Sequence, residues 1–445
     1  MPNNKTAGQL WALLVPLMVE QLLNSLMGAV DTVMVTTAGS AAISAVSLVD
    51  SINILVINIF SAMATGGAII ASQFIGNGDS KKASEAGKQL ILAVFVISLL
   101  GMIFAFLFRD SILSLVFGKV DAAVMENSRI YFFITAMSYP FIAVYNSAAA
   151  MFRADKNSRL PMTVSTVSNI INVGGNAILI FAFGMGVRGA AISTLASRVF
   201  CAFVILIFLN RTKQKIRIDS YLSIKPNFQM IFRILRVGVP TGIENGMFQF
   251  GKLAIQSTLS ILSTAQIAAN AMVSTLESLS CQAAIGIGLG MMTLVGQCIG
   301  AGDENLAIEY IKKLTKFGFF ALLVSSAAVI ALVFPMTYFS RMEKEAAVLA
   351  VNLTILVHIV KPFAWCGSFL PAYGLRAAGD VRFSMIVSMV TMWTCRVAIA
   401  MVLIRGFGFG PGGVWIAMAS DWTIRSVCFF IRFRSRKWLS HKIIS

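Results

Sequence analysis

Three apolar segments of the sequence carry polar side chains whose oxygen atoms could bind a cation. Asp31 lies near the end of the first segment, Asn172 and Asn176 lie one helical turn apart in the fifth, and Thr194 lies in the sixth. A carboxylate, amide oxygens and a hydroxyl are hard ligands suited to Na⁺, and a desolvated carboxylate could carry a proton instead. The amides and the hydroxyl could also serve only as hydrogen-bonding groups between helices.

Ionisable side chains inside a membrane are costly and are candidates for function by default. Asp31 follows Pro16 in the first apolar segment, and a proline inside a helix is expected to bend it. Glu20 and Gln21 lie between these two residues and are further candidates for a substrate cleft or for ion coupling. The first segment therefore combines a predicted bend with a predicted cation ligand.

The second half of the chain has candidates of both charges for a substrate cleft or for coupling: Glu244, Gln249, Lys252 and Glu277. Asp421 and Arg425 are four residues apart and are expected to form an ion pair. Lys361 and Arg396 are long enough to extend their charges to a membrane interface. This mixture of charges argues against a simple conduit for cations.

The elements that must position these residues are transmembrane helices. The chain is 57% hydrophobic and 12% charged, whereas an ordinary soluble domain is roughly 25% charged. A β-barrel would show alternating decamers instead of long apolar runs. We predict an all-α integral membrane protein, because twelve runs are long enough to cross a bilayer: 10–36, 43–73, 88–108, 127–152, 161–183, 188–210, 231–262, 266–298, 315–339, 346–375, 383–405 and 413–433.

The net charge of +17 follows a topological pattern. Lys and Arg concentrate on the N-terminal tail, the even-numbered loops and the C-terminal tail, which predicts a multi-pass protein of the cell membrane with both termini cytoplasmic. In these places the basic residues set topology and contact anionic lipid headgroups. The lipid bilayer is therefore the expected partner, and nucleic acid is not.

Several motifs that would indicate other chemistry are absent from the sequence. It has no C-x-x-C pair and only two isolated histidines, so neither a zinc site nor a disulfide framework is expected. It has no G-x-x-x-x-G-K-[ST] loop, so the energy must come from a gradient, a partner protein or the solute itself, and no cofactor is expected. Without H-E-x-x-H or G-x-S-x-G, a membrane-embedded enzyme is not expected either.

The sequence repeats itself at an offset of 224 residues. The pairs in register are Pro16 and Pro240, Glu20 and Glu244, and the strings 72–79 and 296–303. Since six helices per copy is an even number, both copies enter the membrane from the same side and should be parallel repeats. We predict a six-helix lobe at 1–210, a cytoplasmic linker at 211–230 and a second six-helix lobe at 231–445.

Motifs in both halves of the chain resemble those of the multidrug and toxic compound extrusion (MATE) family, over about residues 8–435. They are Pro16 with Val30-Asp31-Thr32-Val33-Met34-Val35; Gln73-x-Ile75-Gly76-x-Gly78-Asp79 and Gln297-x-Ile299-Gly300-x-Gly302-Asp303; Phe152-Arg153-Ala154; Asn172-x-x-x-Asn176; Gly184-x-Gly186-x-x-Gly189; and Leu375-Arg376-Ala377-Ala378-Gly379-Asp380. The resemblance implies two pseudo-symmetric six-helix bundles around a V-shaped central cleft. It also implies export of small organic compounds, often cationic and amphipathic, in exchange for Na⁺ or H⁺.

The resemblance also suggests roles for single residues. In relatives with an ion site in the N-terminal lobe, Asp31 matches the essential acid and Pro16 the bending proline. Asn172, Asn176 and Thr194 match the positions that complete the site. Asn176 departs from members that carry Asp there, so a single carboxylate is expected and Na⁺ stays plausible. The expected mechanism is alternating access by a monomer, driven when the cation binds at Asp31.

One alternative stays open at this point. A flippase of lipid-linked sugars from the same superfamily would need a strongly cationic cavity, which Lys252, Lys361 and Arg396 could provide.

Overall fold

The computed structural model describes residues 4–118, 120–211, 214–221, 224–441 and 443, so part of the predicted linker 211–230 lies outside the described residues. The first sequence copy forms α1 (Asn4–Thr36), α2 (Ser40–Gly76), α3 (Ser80–Leu107), α4 (Arg109–Phe117), α5 (Ala122–Met137), α6 (Tyr139–Ala154), α7 (Arg159–Asn176) and α8 (Gly186–Arg211). The second forms α9 (Phe228–Leu259), α10 (Thr264–Gly300), α11 (Glu304–Phe339), α12 (Lys344–Ala377), α13 (Val381–Thr391), α14 (Ile399–Met401) and α15 (Gly412–Arg434). π-helical turns extend α7 over Ala177–Ala182 and join α13 to α14 over Met392–Ala398.

Within the described ranges, ten helical segments are long and apolar enough to cross a membrane. They account for ten of the twelve predicted spans. The predicted span 127–152 is divided between α5 and α6 at Ser138, where Pro140 begins a new helix, so neither part has the required length. The predicted span 231–262 is the continuous helix α9, which is long but carries charges such as Arg236 and Glu244.

The repeat in the sequence is also a repeat of helix boundaries. α2 and α10 both contain 37 residues, and both are followed by a glycine with positive φ, Gly78 at 79° and Gly302 at 77°. Asp79 and Asp303 then cap the next helix by accepting the backbone N–H three residues ahead, at 2.9 and 3.0 Å. This backbone hydrogen bond lowers the pKa of the Asp79 carboxyl below its ordinary value. The same local signals thus end and begin helices in both copies.

The chain packs as two compact units that differ from the sequence copies. The N-terminal unit contains Met1–Pro16 and Leu23–Gly242, and the C-terminal unit contains Leu17–Leu22 and Ile243–Ser445. Each unit therefore includes part of the first helix of the other copy. The lobe boundaries drawn from the sequence stay a prediction about the repeat.

Within each unit, glycines allow close helix crossings. In the N-terminal unit, a Cβ added at Gly66 of α2 would lie 2.8 Å from the backbone nitrogen of Gly238 in α9. In the C-terminal unit, a Cβ added at Gly286 of α10 would lie 2.7 Å from Cα and N of Met18 in α1. The segment that follows Pro16 is therefore packed backbone to backbone against α10.

This contact predicts that Gly286→Ala destabilises the protein, because the added methyl group forces α1 and α10 apart. Overpacking of this kind costs about 1–3 kcal/mol of unfolding free energy, and thermal unfolding in detergent should show a lower Tm. The matched control is Gly101→Ala in α3, where an added Cβ has nothing within 4 Å. That change should be neutral or stabilising by about 0.5–1 kcal/mol. Equal Tm values for the two variants would contradict the predicted crossing.

Candidate functional site

The carboxylate of Asp31 is held by the amide of Asn176. Asn176 Nδ2 donates a hydrogen bond to Asp31 Oδ1, which joins α1 to the end of α7. Asn176 is fully buried, and its Oδ1 has no hydrogen-bond partner in the part of the chain that the structure describes. Two predicted ligands therefore meet, and a buried acceptor beside the carboxylate is left free to bind a cation.

The other two predicted ligands also contact one another. Asn172 Nδ2 donates to Thr194 Oγ1 at 3.3 Å, and Ser193 Oγ donates to the carbonyl of Asn172 at 2.6 Å. Gly175 permits this approach of α7 and α8, since an added Cβ would lie 2.3 Å from Ser193 Oγ. The π-helical turns of α7 begin directly after Asn176, and such turns occur frequently at functional sites.

A second acid near Asp31 was missed in the sequence analysis. Asp50, in α2, lies within electrostatic reach of Asp31. Its Oδ1 accepts hydrogen bonds from Asn53 Nδ2 at 3.2 Å and from the Tyr131 hydroxyl at 3.3 Å. The expectation of a single carboxylate was therefore incomplete. Asp50 lies inside the apolar run 43–73, so the rule on intramembrane charges could have identified it.

Arg198 was missed for the same reason. It lies one turn after Thr194 on α8, inside the apolar run 188–210. Its Nη1 donates to Ser138 Oγ at 2.7 Å, and its charge reaches both Asp31 and Asp50. The site therefore combines two acids with one permanent cation, so a further monovalent cation would balance its charge.

The remaining candidates on α1 lie in other surroundings. α1 continues through Pro16 without a break in the helix, so the bending role of this proline stays a prediction. Glu20 is 2% exposed, and Gln21 is half-buried. Both residues belong to the C-terminal unit, whereas Asp31 belongs to the N-terminal one.

In the C-terminal unit, two predicted candidates are ion-paired. Glu244 Oε1 lies 2.6 Å from Nη2 of Arg376, the arginine of the Leu375-Arg376 motif. Glu277 Oε1 lies 2.8 Å from the ammonium of Lys361. Gln249 is half-buried and lies on α9, beside Phe248, which lines the cavity described next.

Lys252 and Glu277 line a cavity of about 490 Å³ formed by α9, α10, α12, α15 and the π-helical turns around Arg396. The predicted ion pair between Asp421 and Arg425 is confirmed at 2.9 Å. Asp421 also pairs with Arg396 at 3.1 Å.

The expectation that Lys361 and Arg396 extend to a membrane interface was wrong. Lys361 is 0% exposed and Arg396 is 3% exposed. Both side chains find acidic partners on neighbouring helices, so neither needs to reach water to satisfy its charge.

The described residues contain no group of three His, Cys, Asp or Glu side chains that could hold a metal ion. The six cysteines, which all lie among the described residues, form no disulfide, and five of them are buried. The candidate site at Asp31 is of a different type, since its predicted ligands include amides and a hydroxyl.

The chain matches a known protein family over both copies of its internal repeat. The family model MatE matches residues 16–178 and again 240–402, which reproduces the offset of the internal repeat. Both matched ranges together cover well over half of the chain.

Individual relatives match along almost the whole chain. An uncharacterized transporter of Bacillus subtilis, YisQ, is 26% identical over 98% of this chain and 96% of its own length. A probable multidrug resistance protein of Thermotoga maritima, NorM, is 28% identical, with coverage of 98% and 94%. A solved multidrug resistance MATE transporter of the MOP superfamily, in an outward-facing conformation, superposes with a TM-score of 0.86 at 18% identity, covering 96% of this chain and 95% of that one. The crystal structure of MATE in the straight conformation gives 0.88 at 17% identity with the same coverage.

Proposed function

The chain belongs to the MATE family, and on this premise we propose that it exports small organic compounds in exchange for a cation. It is a membrane transporter and not an enzyme, and transporters of this family need no cofactor. The predicted all-α fold with twelve transmembrane helices in two bundles is confirmed by the structural likeness. Similarity to a probable multidrug resistance protein supports small organic compounds as the substrates, and we propose that they are often cationic and amphipathic.

The observation that carries the proposal is the contact between Asp31 and Asn176. A carboxylate inside a membrane span lies beside a buried amide oxygen that has no partner. Such an acceptor is costly to leave unsatisfied. A cation at this position removes that cost, so the site gains stability when it is occupied.

In the proposed mechanism, the substrate binds while the Asp31 site is empty. Na⁺ or H⁺ then enters from outside and binds among Asp31, Asn172, Asn176 and Thr194. Because α1 carries Asp31 and also Pro16, a change at the carboxylate can alter the shape of this helix and favour outward release. The cation can shift the equilibrium only by its differential affinity for the two states.

A gradient is sufficient to drive this exchange. One monovalent ion moving through 100 mV releases about 2.3 kcal/mol, which supports roughly a fifty-fold gradient of a neutral solute. The sequence contains no phosphate-binding loop of the G-x-x-x-x-G-K-[ST] type, which would bind ATP as an alternative source of energy.

Because Asp50 is a second acid near Asp31, either Na⁺ or H⁺ could be the coupling ion in this proposal. Na⁺ would use the free oxygen of Asn176 together with the carboxylate of Asp31. A proton could be held by either acid while Arg198 balances the other. We further propose a monomer in the cell membrane with both termini cytoplasmic, as the distribution of basic residues predicts.

The test is efflux of a fluorescent cationic dye from liposomes that contain the purified protein, under separately imposed Na⁺ and pH gradients. We expect one of the two gradients to accelerate efflux above the rate in protein-free liposomes. A rate that responds to neither gradient would contradict the exchange mechanism.

The flippase alternative has become weaker. It needed Lys252, Lys361 and Arg396 as a strongly cationic cavity. Lys361 is paired with Glu277, and Arg396 with Asp421, so two of the three cations are at least partly neutralised by carboxylates.

A further inference from the structure

The cavity of about 490 Å³ in the C-terminal unit is the second-copy counterpart of the Asp31 site. At the offset of 224 residues, Asp31 corresponds to Ile255 and Asp50 corresponds to Ser274. Both Ile255 and Ser274 line the cavity. The two acids of the cation site are therefore replaced by neutral residues, and Glu277, the carboxylate that does line the cavity, is paired with Lys361.

The same register relates the other walls of the two sites. Thr194 corresponds to Met418 and Arg198 corresponds to Trp422, and both Met418 and Trp422 line the cavity. A volume of this size suits a drug-sized molecule. The second copy thus keeps a pocket at this position but changes its chemistry.

Two buried donors in the cavity wall have no acceptor among the described residues. Arg396 Nε and Trp422 Nε1 make no hydrogen bond with this part of the chain, although the side chains are only 3% and 2% exposed. Neither group can act as an acceptor, and arginine keeps its charge in proteins. A buried donor without a partner costs about 1–3 kcal/mol, so a ligand that supplies acceptor oxygens would be stabilised here.

Lys252 adds an available positive charge. Its ammonium lies 5.1 Å from the centre of the Phe248 ring, and no carboxylate of the described residues lies within ion-pair distance of it. The nearby carboxylate of Glu277 is held by Lys361, whose ammonium also donates to Ser280 Oγ at 2.6 Å.

The other acid near the cavity is shared as well. Asp421 pairs with Arg396 and with Arg425, so one carboxylate serves two guanidinium groups. Together with Lys252 and Lys361, the surroundings of the cavity contain four cations and two carboxylates. An anion entering the cavity would reduce this excess of positive charge, whereas a cation would increase it.

The walls of the cavity are rich in aromatic rings: Phe248, Trp365, Phe369, Tyr373, Trp415 and Trp422. We propose that this cavity binds an aromatic organic anion, a carboxylate or sulfonate on a planar ring system. The charged head contacts Lys252 and the free N–H groups of Arg396 and Trp422, and the ring packs among the aromatic side chains. That such an anion is exported rests on the proposed function, whereas its binding does not.

The test compares two ligands of similar shape and opposite charge on the full-length protein in lipid nanodiscs. Naphthalene-2-sulfonate and 2-naphthyltrimethylammonium are titrated by calorimetry, with empty nanodiscs as the blank. We expect the anion to bind at least tenfold more tightly than the cation. Lys252→Met should weaken anion binding about tenfold or more without weakening cation binding, and Trp422→Phe should weaken anion binding while the ring stays in place.

The matched control is Lys344→Met, at an exposed lysine at the start of α12 and away from the cavity. It should leave both affinities unchanged. Equal or tighter binding of the cation, or anion binding that is unaffected by Lys252→Met, would overturn the inference. Because Lys252 is exposed in the cavity, its substitution tests the inference even if Trp422→Phe fails to fold.

The proposed cation exchange and the proposed anion site can be contradicted independently of each other. Gradient-driven efflux of a cationic dye without anion binding would overturn the anion site and leave the proposed exchange intact. Anion binding that depends on Lys252, in a protein whose efflux responds to neither gradient, would support the anion site and contradict the exchange.

Discussion

Asp31→Asn is expected to abolish ion-driven efflux while leaving the protein folded. The substitution keeps the size of the side chain and an oxygen that can accept from Asn176 Nδ2, so the packing of α1 against α7 should persist. It removes the charge that gives a cation its differential affinity for one conformation, and without that difference binding shifts no equilibrium. The measurement is dye efflux from liposomes under the gradient that drives the unsubstituted protein, which should fall to the protein-free rate.

The matched control for this variant is Asp121→Asn. Asp121 is an exposed acid that precedes α5, and its side chain makes no capping hydrogen bond. Its substitution should leave efflux and Tm unchanged. If Asp31→Asn retains full gradient-driven efflux with a normal Tm, Asp31 has no part in coupling, and Asp50 becomes the acid to test.

Lys361→Met is expected to be the most destabilising substitution among those proposed for the C-terminal unit. The ammonium of Lys361 is fully buried and donates to three acceptors: Glu277 Oε1 at 2.8 Å, the Glu277 carbonyl at 2.6 Å and Ser280 Oγ at 2.6 Å. Methionine preserves much of the volume but leaves the carboxylate of Glu277 without its partner. Removing one partner of a buried ion pair costs about 3–5 kcal/mol, which should appear as a large loss of Tm in detergent.

A double substitution separates the charge from the packing. Lys361→Met combined with Glu277→Gln removes both charges, so no uncompensated ion remains. We expect the double variant to recover most of the lost stability, since replacement of a whole buried pair is often close to neutral. A double variant as unstable as Lys361→Met alone would show that the lysine stabilises the unit through packing and not through its charge.

The two copies of the repeat have diverged in their use of charge. In the N-terminal unit, Asp31 and Asp50 lie with Arg198 in a cluster where the oxygen of Asn176 has no partner. In the C-terminal unit, the free polar atoms in the cavity wall are the N–H donors of Arg396 and Trp422. One fold therefore provides one site with spare acceptors and another with spare donors, which favours ligands of opposite charge.

Much of the fold could be predicted from the sequence because its signals are local. An apolar run of the right length predicts a membrane span whatever its neighbours are, and the offset of 224 residues predicts two related bundles. The pairing of Asp421 with Arg425 was predictable for the same reason, since four residues along a helix place two side chains on one face. Asp31, Asn172, Asn176 and Thr194 were predicted as cation ligands from residue type together with the family resemblance, and that role stays a prediction.

Tertiary structure alone decided which charges are satisfied. Lys252 and Lys361 are the same residue type in apolar helices. Lys361 pairs with Glu277, which lies 84 positions earlier in the sequence on another helix, whereas Lys252 has no acidic partner among the described residues. The sequence likewise does not predict that Arg396 Nε and Trp422 Nε1 lack a hydrogen bond. Whether a neighbouring helix provides an acceptor depends on how the helices pack. Pairing is a property of distance between helices and not of residue type, so the sequence determined where charges enter the membrane, and packing determined which of them remain available to a ligand.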